Sequence, residues 1–404
     1  MALKAPALSV AVFTQGGTEW IAGRIYVANL TRALSLLPEV ERIAVSEIAP
    51  HTAGPVDPNE SGVVSKASWY AFRAADSVTD KLRAAKKGLR HGKWPRSLEG
   101  AVTRARATVA YPVLDTLGRD FPIPWIGWIP DFQHKRLPHY FPAEEISRRD
   151  KRFQGIVNDA WHVVVSSEDS YRDLNRWFPT ERSRASVLPF VAVMNDQWYE
   201  EEPAKVAARF GLPEKFLIFP CQYWIHKNHC TAFEAVRILR DRGISDICLV
   251  STGRTQDFRN PDHFGRLQEF LKKHGLEAQV RILGLLPRNE EIQLLRRAAA
   301  VIQPSQFEGW SSLIEDAWAL GKRLYVSDIP VHREQRPPNA AFFPLGDAEQ
   351  LAELIAKDWA DLKPGPDFKS EHEARAQQQG RTLIFARAFL QILKRTVATG
   401  KAGA

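Results

Sequence analysis

No stretch of the chain approaches the roughly 18 consecutive apolar residues that a membrane-spanning helix needs, so no transmembrane segment is expected in its 404 residues. The start, MALKAPALSVAVF, carries one lysine and a short apolar run leading to Gly16 and Gly17, and reads as a first buried strand, not a signal peptide. Cysteine is scarce. Cys221, Cys230 and Cys248 are odd in number and fit neither a CxxC pair nor a zinc site, which points to reduced thiols in a cytoplasmic interior. No GxGxxG follows the first strand and no acid stands in the expected relation to one, which argues against a dinucleotide-dependent dehydrogenase. There is no RRM or KH signature of an RNA-binding module either.

What is present is the composition of a folded protein, 44% hydrophobic and 25% charged. The length exceeds one ordinary core, so two domains of about 200 residues each are expected. A formal charge of +8 and a pI near 9.3 suit an anionic partner: a nucleotide, a phospholipid surface or a nucleic acid. The basic residues are unevenly placed. Residues 66–106 hold eleven Lys/Arg against Asp76, Asp80 and Glu99, with Trp69, Tyr70, Phe72 and Trp94 among them. That mixture fits a segment lying on an anionic membrane face, and equally a solvated helical face.

Along the chain, strand-like and helix-like segments alternate. LSVAVF, a Gly-rich turn and the helical IYVANLTRALSLL open the first half, followed by apolar runs at ERIAVSEIA, PWIGWIP and AWHVVVSS, with Ser166 or Ser167 as a helix cap. The polar, acidic, proline-bounded stretch at residues 194–215 reads as a linker. A second series then runs KFLIFPCQYW, helix 228–241, DICLVST, helix 262–274, QVRILG, helix 289–300, VIQPS, the helix after EGWSS, KRLYVSD and AAFFPLGD, before one long helix at about 371–397. This is the pattern of an α/β protein with two doubly wound, Rossmann-like domains, whose ligands sit at the carboxyl ends of the strands.

The second half carries residue types suited to a nucleotide sugar: Lys227 beyond its first strand, Glu308 and Gly309 in the loop after VIQPS, and Ser311 and Ser312 as candidate caps whose neighbouring N–H groups could bind phosphate. QYWIHKN, LGLLPR, PSQFEGWSSLIEDAWALGK and SDIPVHREQ, between Phe216 and Gln335, resemble the donor-binding domain of the retaining glycosyltransferases of family 4. In the first half GGTEWIAGRIYVANL, WIPDFQH, VVSSEDSYRDL and VLPFV match in outline.

The resemblance implies the GT-B fold, two Rossmann-like domains facing across a cleft: residues 1–195 for the acceptor, 196–370 for the nucleotide sugar, and 371–404 as a C-terminal helix and tail returning toward the N-terminal domain. It implies a retaining hexosyltransferase of the mannosyl- or rhamnosyltransferase kind that elongates a saccharide or lipid-linked saccharide in bacterial surface-polysaccharide assembly. Glu308, His134 and Lys227 become the catalytic candidates. Gly16, Gly17, Gln222, Lys227, Arg254, Glu308, Gly309, Trp310, Ser311, Ser312, Glu315 and Asp316 become the donor-binding ones. The family pattern places its second acid after seven intervening residues from Glu308, at Asp316, with Ala317 and Gly321 matching. Glu315 has a competing explanation, since Ser312 to Glu315 reads as a capping box, and adjacent helical residues point about 100° apart. The family's arginine five residues before Lys227 is replaced by Gln222, with Arg254 a substitute cation. Asp131 reads as loop-ordering and His162 as core.

No Asp-x-Asp occurs in the chain, so no metal and no cofactor are expected, the leaving-group charge falling to Lys227 and helix N–H groups. The expected partners are a nucleotide sugar and its acceptor, no nucleic acid, and an anionic membrane through residues 66–106, which would make a cytoplasmic enzyme peripheral on the inner face. Two other readings stay open: a nucleotide-sugar 2-epimerase of the same fold, and a non-catalytic membrane- or nucleic-acid-binding protein built around the basic segment.

Overall fold

A computed structural model describes residues 8–14, 21–48, 96–181 and 184–402. Gly16 and Gly17 lie outside these residues, as do residues 66–95 of the basic segment with its four aromatic side chains. The chain divides into two compact units. One comprises residues 1–130, 147–190 and 382–404, and the other residues 131–146 and 191–381. The segment carrying His134 therefore groups with the second unit, although most of the first half does not.

In the first unit six strands form a parallel sheet: β1 (Ser9–Phe13), β2 (Ala44–Ile48), β3 (Val109–Val113), β4 (Trp125–Ile129), β5 (His162–Val165) and β6 (Ala185–Val187), in the order β2-β1-β3-β4-β5-β6. Helices in this half of the chain are α1 (Ile21–Ser35), α2 (Arg96–Arg104), α3 (Gln133–Arg136), α4 (Ala143–Asp159) and α5 (Glu168–Trp177). Ser167 caps α5 by accepting the Ser170 N–H at 2.9 Å. His162 is a core residue as expected, bonded to Ser186 at 2.8 Å and held by burial at a pKa of about 4. Strand β3 is absent from the sequence reading because Pro112 argues against a central strand; it sits where the β3–β4 register shifts, a position that tolerates a missing N–H.

The second unit opens with α6 (Asp196–Glu200) and α7 (Pro203–Arg209), so the expected linker at 194–215 is partly helical. Asn195 caps α6 and Pro203 starts α7, two start signals that an acidic, polar composition masks. The buried Arg296 guanidinium fixes this segment by donating to the Trp198 carbonyl at 2.6 Å and the Glu201 carbonyl at 3.1 Å.

There follow β7 (Leu217–Pro220), α8 (His229–Asp241), β8 (Leu249–Thr252), α9 (His263–His274), β9 (Val280–Gly284), α10 (Arg288–Arg297), β10 (Ala300–Gln303), α11 (Ser312–Ala319), β11 (Leu324–Ser327), α12 (Pro330–Gln335), β12 (Ala340–Phe343), α13 (Ala348–Trp359) and α14 (Phe368–Ala402). The strands pair in parallel in the order β12-β11-β10-β7-β8-β9. Strands β7, β8, β10 and β11 are buried throughout, which is why they read as short apolar runs without alternation. The chain winds outward from β7 to β9, then returns to lay β10 to β12 on the other side. Strands β7 and β10 therefore meet at the topological switch point, where loops at the carboxyl ends diverge and leave room for a ligand. Among the described residues no helix is long and apolar enough to cross a membrane.

Candidate active site

The loops leaving β7 and β10 are stitched together. After β7 a 3-10 turn, Ile225–Lys227, ends at Asn228, whose left-handed backbone (φ 61°, ψ 46°) redirects the chain into α8. The Asn228 side-chain amide donates to the Pro304 carbonyl at 3.2 Å, and the Gln306 N–H donates to the His226 carbonyl at 2.8 Å. This brings Lys227 Nζ to 2.6 Å from Glu308 Oε1, with both side chains largely withdrawn from solvent. Burial alone would lower the pKa of the lysine; the Glu308 carboxylate, together with Cys221 and Asp131, outweighs it, so Lys227 is shifted up and carries a full charge. Gln303, buried at the end of β10, gives Glu308 Oε1 a second donor at 3.0 Å.

Beyond Glu308, Gly309 is buried and Trp310 half-buried, and the chain enters α11. Ser311 is the cap: its hydroxyl accepts the Ile314 N–H at 3.3 Å and a bond from Gln303 at 3.0 Å. The N–H of Ser311 itself donates to Gln335 Oε1 at 3.1 Å. The N–H groups of Ser312 and Leu313, in the first turn, are then left for a ligand at the positive end of the helix dipole.

The capping box expected from Ser312 to Glu315 is not formed. The cap is one residue earlier, at Ser311, whose own backbone N–H is taken by Gln335. Glu315 is fully buried instead, accepting from Arg381 Nη2 at 2.6 Å and Gln335 Nε2 at 3.1 Å. Asp316 points to a different partner, Arg288 Nη2 at 2.5 Å, and Arg288 also binds Glu291 at 2.8 Å. Burial raises the pKa of both acids against the opposing pull of their arginines. Both acids are buried; Asp316 shares its arginine with Glu291 on α10, whereas Glu315 is held by groups from α12 and α14.

Gln222 leaves the family's arginine position without a cation, and its buried Oε1 has no hydrogen-bond partner among the described residues. The loop after β8 presses against it: Gly253 has φ 122°, and a Cβ there would stand 2.3 Å from the Cys221 carbonyl oxygen. The Arg254 carbonyl accepts the Tyr223 N–H at 3.0 Å, which sets the Arg254 backbone beside Gln222. Cys221 is not a nucleophile, since burial pushes its thiol up to about 12. All three cysteines are free.

His134 is fully buried on α3, edge-on to Phe141. Its loop is ordered by Asp131, which accepts the Gln133 N–H at 2.9 Å, the role expected for that carboxylate. The loop is tied to the β10 loop by Tyr140, whose hydroxyl donates to Gln306 Oε1 at 2.8 Å. Arg259, stacked on both Phe141 and Trp224, donates to Gln133 Oε1 at 3.0 Å. The segment bearing His134 thus lies against the loops that bear Lys227 and Glu308, in the same unit.

Four polar residues of this network had gone unremarked in the sequence: Gln303, Arg288, Gln335 and Arg381. A polar residue ending a buried apolar strand marks Gln303 as needing a partner, and Arg288 and Gln335 lie inside the matched runs LGLLPR and SDIPVHREQ. Arg381 has no local signal at all.

Residues 201–378 match the family model described as glycosyl transferases group 1. No curated protein sequence matches the chain. Among solved structures, a glycosyltransferase from Rickettsia africae aligns at 14% identity and TM-score 0.61, covering 97% of this chain and 99% of that one. A sucrose-phosphate synthase from Thermosynechococcus elongatus aligns at 14% and 0.60, covering 98% and 100%. Alr3699/HepE of Anabaena, solved in complex with UDP and glucose, aligns at 14% and 0.59, covering 96% and 99%. The fold is therefore GT-B, the C-terminal half carries a glycosyl transferases group 1 domain, and the protein is a glycosyltransferase.

Proposed function

We propose that this glycosyltransferase is a retaining, metal-independent enzyme of the family 4 type, moving a hexose from a nucleoside-diphosphate donor to a hydroxyl of a saccharide or lipid-linked saccharide in bacterial surface-polysaccharide assembly. The observation that supports this reading most is the Lys227–Glu308 contact at the β7/β10 switch point. Lys227 and Gln303 both bind Oε1, which keeps Oε2 for a hydroxyl of the transferred sugar. The Lys227 ammonium and the Ser312 and Leu313 N–H groups meet the charge that develops on the departing diphosphate. Asp316 takes the ribose diol and His134 the sugar on its other side.

In a front-face displacement the acceptor oxygen bonds to the anomeric carbon on the face from which the diphosphate leaves. The electron pair of the breaking bond goes to the phosphate oxygen, and the acceptor's proton follows it there. Residues 66–106 would hold the enzyme on an anionic membrane where a lipid-linked acceptor resides.

Thermal shift with UDP-, GDP- and dTDP-sugars tests the donor reading. A donor at about 100 times its Kd stabilises the native state by about 2.7 kcal/mol, so one nucleotide class should raise the melting temperature and the others should not. No shift with any nucleotide sugar counts against the proposal. Rapid conversion of a nucleotide sugar to its C2 epimer, with no acceptor present, would identify the epimerase instead.

A further inference from the structure

We propose that Gln335 is a positioning residue for the Glu308 loop, and that Arg381, on α14, helps to hold it in place through Glu315. The proposal rests on the assignment of Glu308 to the transferred sugar. The contacts form one continuous chain, buried between its half-buried ends at Arg381 and Glu308. Arg381 Nη2 donates to Glu315 Oε2 at 2.6 Å, and Gln335 Nε2 donates to Glu315 Oε1 and to the Ser311 carbonyl, each at 3.1 Å. Gln335 Oε1 accepts the Ser311 N–H at 3.1 Å. The Ser311 hydroxyl and Glu308 Oε1 then share the Gln303 amide, each at 3.0 Å.

Gln335 thereby clasps both backbone groups of Ser311, as a neighbouring strand would. Its amide can do this in one orientation only. Turned over, its oxygen would face the Glu315 carboxylate and the Ser311 carbonyl, while its NH2 group would face the Ser311 N–H, pairing acceptors with acceptors and donors with donors. The Ser311 backbone pair and the acceptor-only carboxylate of Glu315 together select the orientation. A carboxylate with no exposure stays ionised there only with a cation beside it. Arg381 supplies that cation and is itself fixed, its guanidinium 3.6 Å from the centre of the Trp318 ring and bonded to Gln378 at 2.8 Å. Both Glu315 and Trp318 belong to α11, so one side chain of α14 grips the helix whose first turn faces the donor.

Steady-state kinetics with UDP-glucose, GDP-mannose or dTDP-glucose, whichever the wild type turns over fastest, are compared for Arg381→Met, Glu315→Gln, the double variant and Gln335→Met. Hydrogen exchange of residues 305–316 is measured on the same proteins without ligand. Arg381→Met and Gln335→Met should lower kcat by about 10-fold or more through a displaced Glu308, with donor KM within about threefold, and should speed exchange. The double variant should recover most of the loss, because a neutral amide at 315 needs no cation and still accepts from Gln335. Equal impairment of the single and double Arg381 variants overturns the proposal in favour of simple packing on Trp318, as does wild-type kcat and exchange in Gln335→Met. Failure of the wild type to turn over any donor overturns the functional reading instead, and exchange still decides the positioning.

Discussion

Glu315 and Asp316 are adjacent on α11, yet each is held by a different arginine: Arg381 at 2.6 Å and Arg288 at 2.5 Å. One residue of helix turns a side chain by about 100°. That rotation separates an acid enclosed by α12 and α14 from one facing α10 and the loop at the carboxyl end of β9.

Asp316→Asn is therefore expected to weaken donor binding more than Glu315→Gln does. Losing a hydrogen bond to a charged acceptor costs about 1.5–3 kcal/mol, so the donor KM of Asp316→Asn should rise by about 10-fold or more. Glu315→Gln should leave donor KM within about threefold. Initial rates against donor concentration decide it, and the reverse ranking would move the ribose contact to Glu315.

Lys227→Met removes the cation beside Glu308, the group proposed to meet the departing diphosphate. Loss of one preorganised group that stabilises developing charge lowers kcat by about 10²–10³, and that is the expected effect in single-turnover measurements at saturating donor. A variant that keeps wild-type kcat and only raises KM would make Lys227 a ground-state binding residue.

Much of this was legible in the sequence because it rests on burial. The four central strands of the second unit are short, buried runs, and the switch-point position of Lys227 and Glu308 follows once the runs are ordered. What escaped the sequence depends on distance along the chain. Nothing near Glu315 announces Arg381, and without that partner a Ser-x-x-Glu run reads as a capping box. Strand β3 was hidden by Pro112, whose missing N–H matters only where the ladder is regular. The helices α6 and α7 were hidden by acidic composition, although Asn195 and Pro203 are ordinary start signals.

His332 gives the second unit a defined acid limit. It is fully buried beside Ser327, whose carbonyl lies 2.9 Å from Nδ1; burial holds its pKa near 4, against an upward pull from Glu308 and Asp328 and a downward one from Lys227. A depressed folded pKa means stability that is present above the unfolded value of 6.5 and lost as pH falls toward 4. The loss is about 3 kcal/mol across that window. His332→Asn keeps a donor for the Ser327 carbonyl and removes the titration, so urea midpoints should fall less steeply between about pH 6.5 and 4 than in the wild type. Burial also holds His162 in the first unit and His229 and His263 in the second below their ordinary value, so part of the slope should remain.

Gly321 ends α11 with φ 65°, and the bonds from Lys322 N–H to the Ala317 carbonyl (2.9 Å) and from Gly321 N–H to the Trp318 carbonyl (3.0 Å) close a Schellman turn. A Cβ here would stand 2.5 Å from the Ser370 carbonyl oxygen, at the start of α14. Gly275 has nearly the same backbone, φ 59°, with nothing within 4 Å of its Cβ position. The two glycines separate conformational strain from close approach. Gly275→Ala should cost only the left-handed backbone term of about 1–2 kcal/mol. Gly321→Ala should cost more in denaturant unfolding, because the backbone of α14 must retreat, and the displacement should also loosen Arg381 on Glu315 and lower kcat. Equal losses in the two variants would mean that α14 yields freely at Ser370, and that the glycine serves the turn alone.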